Sequence, residues 1–240
     1  MKELIAEASP HPRASIIGVV YFVYFLTTIS AEFFIRGLVV SGDAAATGNN
    51  ILAHQPLFRL HYAIALLATA LYVALTALFY GLFKPVNQRL ALIAAFFSLT
   101  GCAIQAFASL FQLAPFVVLG GSTYLSVFKL GQLQALALLF LNLNTEAYSI
   151  ELVFFGLFNL LIGYLIFKSN FLPRILGGLM GLSGLGWLTF LSPPVANHLF
   201  TYIAVIGIIA EAALMLWLLV KGVNVLRWKE QATKAGLRTV

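Results

Sequence analysis

Charge is what this chain lacks. Asp, Glu, Lys and Arg make up 9% of its 240 residues and hydrophobic residues 61%, whereas a soluble domain carries about 25% charged residues. An ordinary aqueous surface is excluded. Cysteine is nearly missing as well: the single Cys102 rules out an intramolecular disulfide and argues against a thiol-rich metal site. Its place inside an apolar run suits a small buried hydrophobe. Phosphate loops, zinc-hydrolase helices, α/β-hydrolase serines and dinucleotide fingerprints are all absent as local motifs. No internal repeat is strong enough to argue for a transporter built of inverted halves.

What the chain does have is apolar length. Several runs exceed the roughly 20 residues that cross a ~30 Å hydrocarbon core, and they fill almost the whole sequence. The fold class is therefore all-α, a polytopic helical membrane protein. Its organisation reads as an N-terminal tail over 1–15, one transmembrane domain over 16–220 and a basic tail over 221–240. The net charge of +6 could suggest nucleic acid, but the basic residues sit at the ends of apolar runs and in the tail, where membrane topology places them. Nucleic-acid binding is not expected. The first run, 16–40, is followed by Ala44-Ala45-Ala46, which mimics a signal-peptidase site. That run is about twice the length of a signal h-region and carries Glu32 and Arg36, so it reads as a retained helix.

Apolar runs give spans near 16–40, 57–83, 89–118, 149–168, 174–191 and 199–220. A further candidate, 124–143, is interrupted by Lys129, Gln132 and Gln134. It reads as a re-entrant or interfacial segment, with seven spans as the alternative. With six spans and the N-terminus inside, eleven Lys and Arg are cytoplasmic and only Arg36, Arg59 and Lys129 face out, as the positive-inside rule requires. Seven spans with the N-terminus outside is the competing arrangement, at ten against four. The preferred threading puts both termini in the cytoplasm of a bacterial inner-membrane protein. It also leaves 41–56 and 119–148 on the outer side as a joint cap.

Short-range signals agree. Asp43 or Thr47 can cap a short helix through Asn50 to His54, which Pro56 ends while starting the next span. Lys84-Pro85-Val86-Asn87 and the stretch from Lys168 to Arg174 read as tight turns. The tail from Lys221 combines five basic residues with Glu230 and Trp228, which suits either a solvated stop-transfer tail or one lying on anionic headgroups.

The segments "AEFFIRG", "GDAAATGNNILA", "LFRL", "KPVN", "LALIAAFF", "LQALALLFLNL", "LVFFGL", "GYLIFKSNFLPRILG" and "LWLLVKGVN" carry a resemblance. In register from about 16 to 224, the chain resembles a bacterial membrane family known as a domain of unknown function, family 4386. The resemblance implies a membrane fold and no particular activity. It also implies ionisable side chains where this sequence has Ala65, Tyr72, Ser98, Asn144 and Phe158, a departure that weighs against catalysis.

Ionisable and strongly polar groups inside spans are costly in hydrocarbon and are functional candidates for that reason. Glu32 and Arg36, four apart in the favourable order, can pair near the outer end of the first span; the pair either anchors the helix or holds a guanidinium for an anionic group. Glu211 lies near the membrane midplane, roughly 18 Å into the last span. Asn159 and Gln105 fall at similar depth, so the three can meet as interhelical hydrogen-bond glue or as a ligand-binding site. Arg59 and His61 sit near the start of the second span, His61 as an interfacial histidine that snorkels. A metal held by His54, His61 and Glu32 or Glu151 lacks any supporting ligand spacing, so no metal is expected, and the motifs leave the cofactor unknown. Gly181-Leu182-Ser183-Gly184 matches the G-x-S-G tetrapeptide of the rhomboid intramembrane proteases, but the last span has no histidine to activate the serine. Gly177, Gly181 and Gly184 read instead as a small-residue packing face.

Three functions remain open. The leading expectation is a membrane protein that holds a small ligand or lipid in the outer half of its bundle, as a sensor or transport accessory. Its site would be Glu211, Asn159 and Gln105 inside with Glu32, Arg36, Arg59 and His61 at the mouth. The others are an intramembrane enzyme for a lipid-like substrate and a structural partner in a membrane complex. Membrane lipids are the one partner the composition requires.

Overall fold

The computed structural model describes residues 10–35 and 37–237, with side chains except at 10–14 and 32–36. All regular structure among them is helical. The order is α1 (Pro10–Ile35), α2 (Ala44–Ala53), α3 (Gln55–Phe83), α4 (Gln88–Leu119), α5 (Leu130–Lys168), α6 (Arg174–Leu188), α7 (Pro193–Val220) and α8 (Val225–Lys234), with short 3₁₀ turns at Thr123–Leu125 and Thr189–Leu191. Five helices are long and apolar enough to cross a membrane, namely α3, α4, α5, α6 with its 3₁₀ extension, and α7; a shorter apolar stretch, Ser15–Ala31, lies in α1. Large apolar side chains such as Phe96, Phe107, Ile175 and Ile208 are turned outward. Water would penalise such a surface and lipid does not. The chain is a polytopic helical membrane protein.

The ends of the elements follow local chemistry. Gly37 takes a left-handed φ of 82°, which a residue with a Cβ rarely adopts, and α1 ends before it, short of the expected Val40. The Asp43 carboxylate then accepts the Ala46 N–H at 2.8 Å as the N-cap of α2. Thr47 ties α2 to the preceding loop twice, accepting the Val40 N–H at 2.9 Å and donating to the Val40 carbonyl at 3.1 Å. Asp43→Ala leaves the Ala46 N–H without its side-chain acceptor and is expected to cost about 1 kcal/mol, read as a lowered unfolding midpoint in detergent with an unchanged oligomeric profile.

One expected element is corrected. The segment 124–143 is neither a separate span nor re-entrant: from Leu130 it is the first half of α5, which runs unbroken for 39 residues, roughly 58 Å. That is nearly twice the hydrocarbon thickness. The polar residues that seemed to interrupt it have partners. Gln132 Oε1 accepts the Lys129 N–H at 2.8 Å, the reciprocal half of a capping box at the helix start. The Gln134 amide is buried and donates to Asn49 Oδ1 of α2 at 3.2 Å. The two segments expected to form a cap do come together, but as helix α2 packed on α5, with Ile51, Phe58 and Leu141 in one core.

The chain divides into two compact units, one from the described residues of Met1–Val23, Leu71–Gly101 and Leu152–Val240, the other from Tyr24–Ala70 and Cys102–Glu151. The second unit is built on that Ile51–Phe58–Leu141 core, with Phe116 set edge-on to Phe58 at 5.7 Å. The first is built on aromatics: Phe79 receives Tyr21 at 5.8 Å and Phe158 at 6.1 Å, and Tyr72 meets Phe155 at 4.7 Å. Thr76 and Ser98 share a buried hydrogen bond of 2.6 Å there. Also in the first unit, α5 and α6 touch backbone to backbone. A Cβ on Gly163 would lie 2.7 Å from the Gly177 carbonyl oxygen, and one on Gly184 would lie 2.7 Å from that of Gly156.

The basic tail forms an element. α8 buries Trp228 and Ala232, and the Trp228 indole N–H donates to the Leu82 carbonyl at 3.0 Å, one of the last four carbonyls of α3 that have no intrahelical donor. Gln231 and Arg227 bond the turn between α5 and α6 through Asn170 and Lys168.

Candidate functional site

Three helices of the first unit each bring one polar side chain to a common point. Asn159 of α5 is 1% exposed and Ser183 of α6 is fully buried; the Asn159 amide donates to Ser183 Oγ at 3.3 Å. The Asn159 side chain also lies beside the half-buried Glu211 of α7. The register explains the meeting. Asn159 lies nine residues before the end of α5, Ser183 nine after the start of α6, and Glu211 nine before the end of α7. At 1.5 Å per residue each is about 14 Å from the helix end marked by Lys168, Arg174 or Lys221. Half of a ~30 Å core is about 15 Å, so the three residues share one depth, about half a core thickness from those helix ends.

One atom of the cluster is unsatisfied. Asn159 Oδ1 is buried and has no hydrogen-bond partner among the described residues, although a buried amide oxygen without a donor costs about 1–3 kcal/mol. The cluster thus offers a carboxyl, a hydroxyl oxygen and an open amide oxygen. Its surplus is in acceptors.

Gln105, expected as the third member, belongs to the second unit, where its Oε1 accepts the Thr69 hydroxyl at 2.8 Å. Ser183 takes the place beside Asn159. The sequence singled out Ser183 only within the G-x-S-G tetrapeptide. The partner of its hydroxyl is an amide, which is no general base.

Of the residues expected at the mouth, Arg59 and His61 lie in the second unit. Arg59 is exposed and stacks its guanidinium over the Phe116 ring at 5.1 Å, a cation–π contact. His61 does not snorkel. It is 6% exposed, and its Nδ1 lies 3.0 Å from the Ala31 carbonyl, a contact in which that nitrogen is the donor. The reason is helix pairing: α3 packs its first turns on α1, so a histidine one turn from the helix start is covered by protein. His54 is exposed and caps α2. The Glu32 and Arg36 side chains lie outside the described residues. Glu151 is buried, at 3% exposure. No group of three His, Cys, Asp or Glu among the described residues is arranged to hold a metal ion.

Two polar contacts of the second unit had no signal in hydropathy. The Asn144 amide donates to the Ala108 carbonyl at 3.0 Å, and the Gln112 amide to Asn144 Oδ1 at 3.4 Å. Both bridge α4 and α5, whose mutual register no single-helix pattern contains.

Comparison with known proteins gives a family. The family model described as "Domain of unknown function (DUF4386)" matches residues 16–222, which spans every helix from the apolar part of α1 to the end of α7. No curated protein and no solved structure matches the chain.

Proposed function

This chain belongs to that family, and we propose that it is a membrane-embedded binder of a small, donor-rich solute of ammonium or amine type, serving as a sensor or transport accessory. The observation that carries the reading is the open amide oxygen of Asn159 beside Glu211 and Ser183. Polar groups in hydrocarbon are retained where they pair with one another or meet a ligand, and an acceptor-rich cluster selects a ligand with N–H or O–H groups. A carboxylate adds the charge that a cationic solute needs to leave water. The membrane is the bacterial inner membrane with both termini cytoplasmic: if α1, α3, α4, α5, α6 and α7 each cross once, eleven Lys and Arg fall on one side against three on the other, and that side is the cytoplasm.

The test is native mass spectrometry of the protein in nanodiscs, after incubation with millimolar methylammonium. The wild type is expected to carry a stoichiometric non-lipid mass. Glu211→Gln and Asn159→Leu are expected to lower its occupancy at least about tenfold, the equivalent of about 1.4 kcal/mol, while His61→Ala keeps it. Retention by both cluster variants, or an empty wild type, would remove the assignment.

A further inference from the structure

We propose a second, independent site in the first unit: a groove for one acyl chain of an anionic phospholipid, with the headgroup phosphate held by Lys84. A cavity of about 250 Å³ is lined by Ile17 of α1, by Ala77, Leu78, Gly81 and Leu82 of α3, by Lys84 just beyond α3 and by Trp228 of α8. Its walls occupy the last two turns of a candidate span, so its depth is that of the hydrocarbon margin, and its one cation stands at the span's end, where headgroups begin. Trp228 has spent its indole N–H on the Leu82 carbonyl. What the ring offers the groove is apolar surface.

Lys84 supplies the argument for what fills the groove. It is half-buried, and its ammonium has neither an ion pair nor a hydrogen bond among the described residues; its backbone N–H donates to the Tyr80 carbonyl. A half-buried cation beside an apolar slot complements an amphiphile with a negative head and a hydrocarbon tail, and a lysine near the surface of an anionic leaflet is attracted to such heads. Free phosphate would satisfy Lys84 but leave the apolar walls uncovered. The neighbouring polar cavity of Arg227, Glu230 and Lys234 does not compete for the tail: it has a carboxylate among its cations, and Arg227 is engaged by the Asn170 carbonyl at 3.3 Å.

Gly81 makes the test sharp. A Cβ added there meets nothing within 4 Å, so Gly81→Phe can fill the groove without a backbone clash. The experiment is native mass spectrometry of the full chain released from nanodiscs of phosphatidylcholine mixed with phosphatidylglycerol, counting the lipids retained. One phosphatidylglycerol per chain is expected to be retained in preference to phosphatidylcholine. Lys84→Gln is expected to cut that preference about fivefold, Gly81→Phe to remove the retained lipid, and Lys229→Gln, whose side chain does not line the groove, to change neither. Equal loss from Lys229→Gln would mean diffuse attraction by the basic tail and overturn the site. Retention by Gly81→Phe would overturn the groove and leave a headgroup contact that inorganic phosphate should then displace. A wild type without retained lipid that gains one when residues 1–9 are deleted would assign the groove to the protein's own N-terminal segment.

Discussion

Gly184→Val is expected to destabilise the folded protein by about 3 kcal/mol, the largest effect of any single substitution considered. The Cβ alone would lie 2.7 Å from both the Gly156 carbonyl oxygen and the Leu160 amide nitrogen. These are backbone atoms of α5, which cannot rotate aside as a side chain could, so α6 must separate from α5 along the whole crossing. Separation also forfeits the contact at Gly163 and Gly177 one repeat away, because in lipid such interfaces are held by close packing rather than by a hydrophobic drive. The control is Gly181→Ala. Gly181 belongs to the same glycine run, yet a Cβ there meets nothing within 4 Å. It contributes its backbone to the crossing, which lies against Gly163, and not the absence of a side chain. Thermal unfolding and size-exclusion profiles in mild detergent should show Gly184→Val aggregated or melting well below the wild type, with Gly181→Ala indistinguishable from it. Equal behaviour of the two would contradict this packing.

Asn159→Leu is expected to have the second largest effect, about 1–3 kcal/mol. Leucine has the same number and branching of side-chain heavy atoms and is the bulkier of the two, so the loss is not a cavity. It is the loss of polar company for two groups at once: Ser183 loses its amide donor and Glu211 loses the neighbouring Asn159 amide inside a span. Ser183→Ala, by contrast, removes one member and leaves the Asn159 to Glu211 contact, and should cost about 0.6 kcal/mol, the average for an interhelical hydrogen bond in a membrane. A double-mutant cycle reads the coupling directly. Additive effects of the two substitutions would show that Asn159 and Ser183 do not act as a pair. The same variants separate stability from binding, since a ligand lost from Ser183→Ala at unchanged stability would place the hydroxyl among the ligand's own contacts.

Membrane character, the helical class and most helix boundaries were determined by the sequence alone. Their causes are local: apolar length sets the spans, Asp43 caps α2, and Pro85 and Pro173 lie in the turns that separate α3 from α4 and α5 from α6. The two residues of the cluster that stand out as costly in lipid, Asn159 and Glu211, were legible for the same reason. Ser183 was readable in principle, because it shares their nine-residue distance from a span end, but a serine is cheap enough in a membrane that only the G-x-S-G tetrapeptide, and not its depth, drew attention to it. Tertiary structure alone decided which polar residues have partners. Hydropathy counted Gln132 and Gln134 as interruptions, while a cap contact and Asn49 satisfy them and α5 continues. It made His61 interfacial, while α1 covers it, and it grouped Gln105 with Glu211 by depth, although Gln105 is paired with Thr69 in the other unit. Depth along a span follows from counting residues at 1.5 Å each. Which helix stands beside it, and at what rotation, is set by packing between segments distant in the chain, and that is why the pairing of its polar side chains appears only once the helices are assembled.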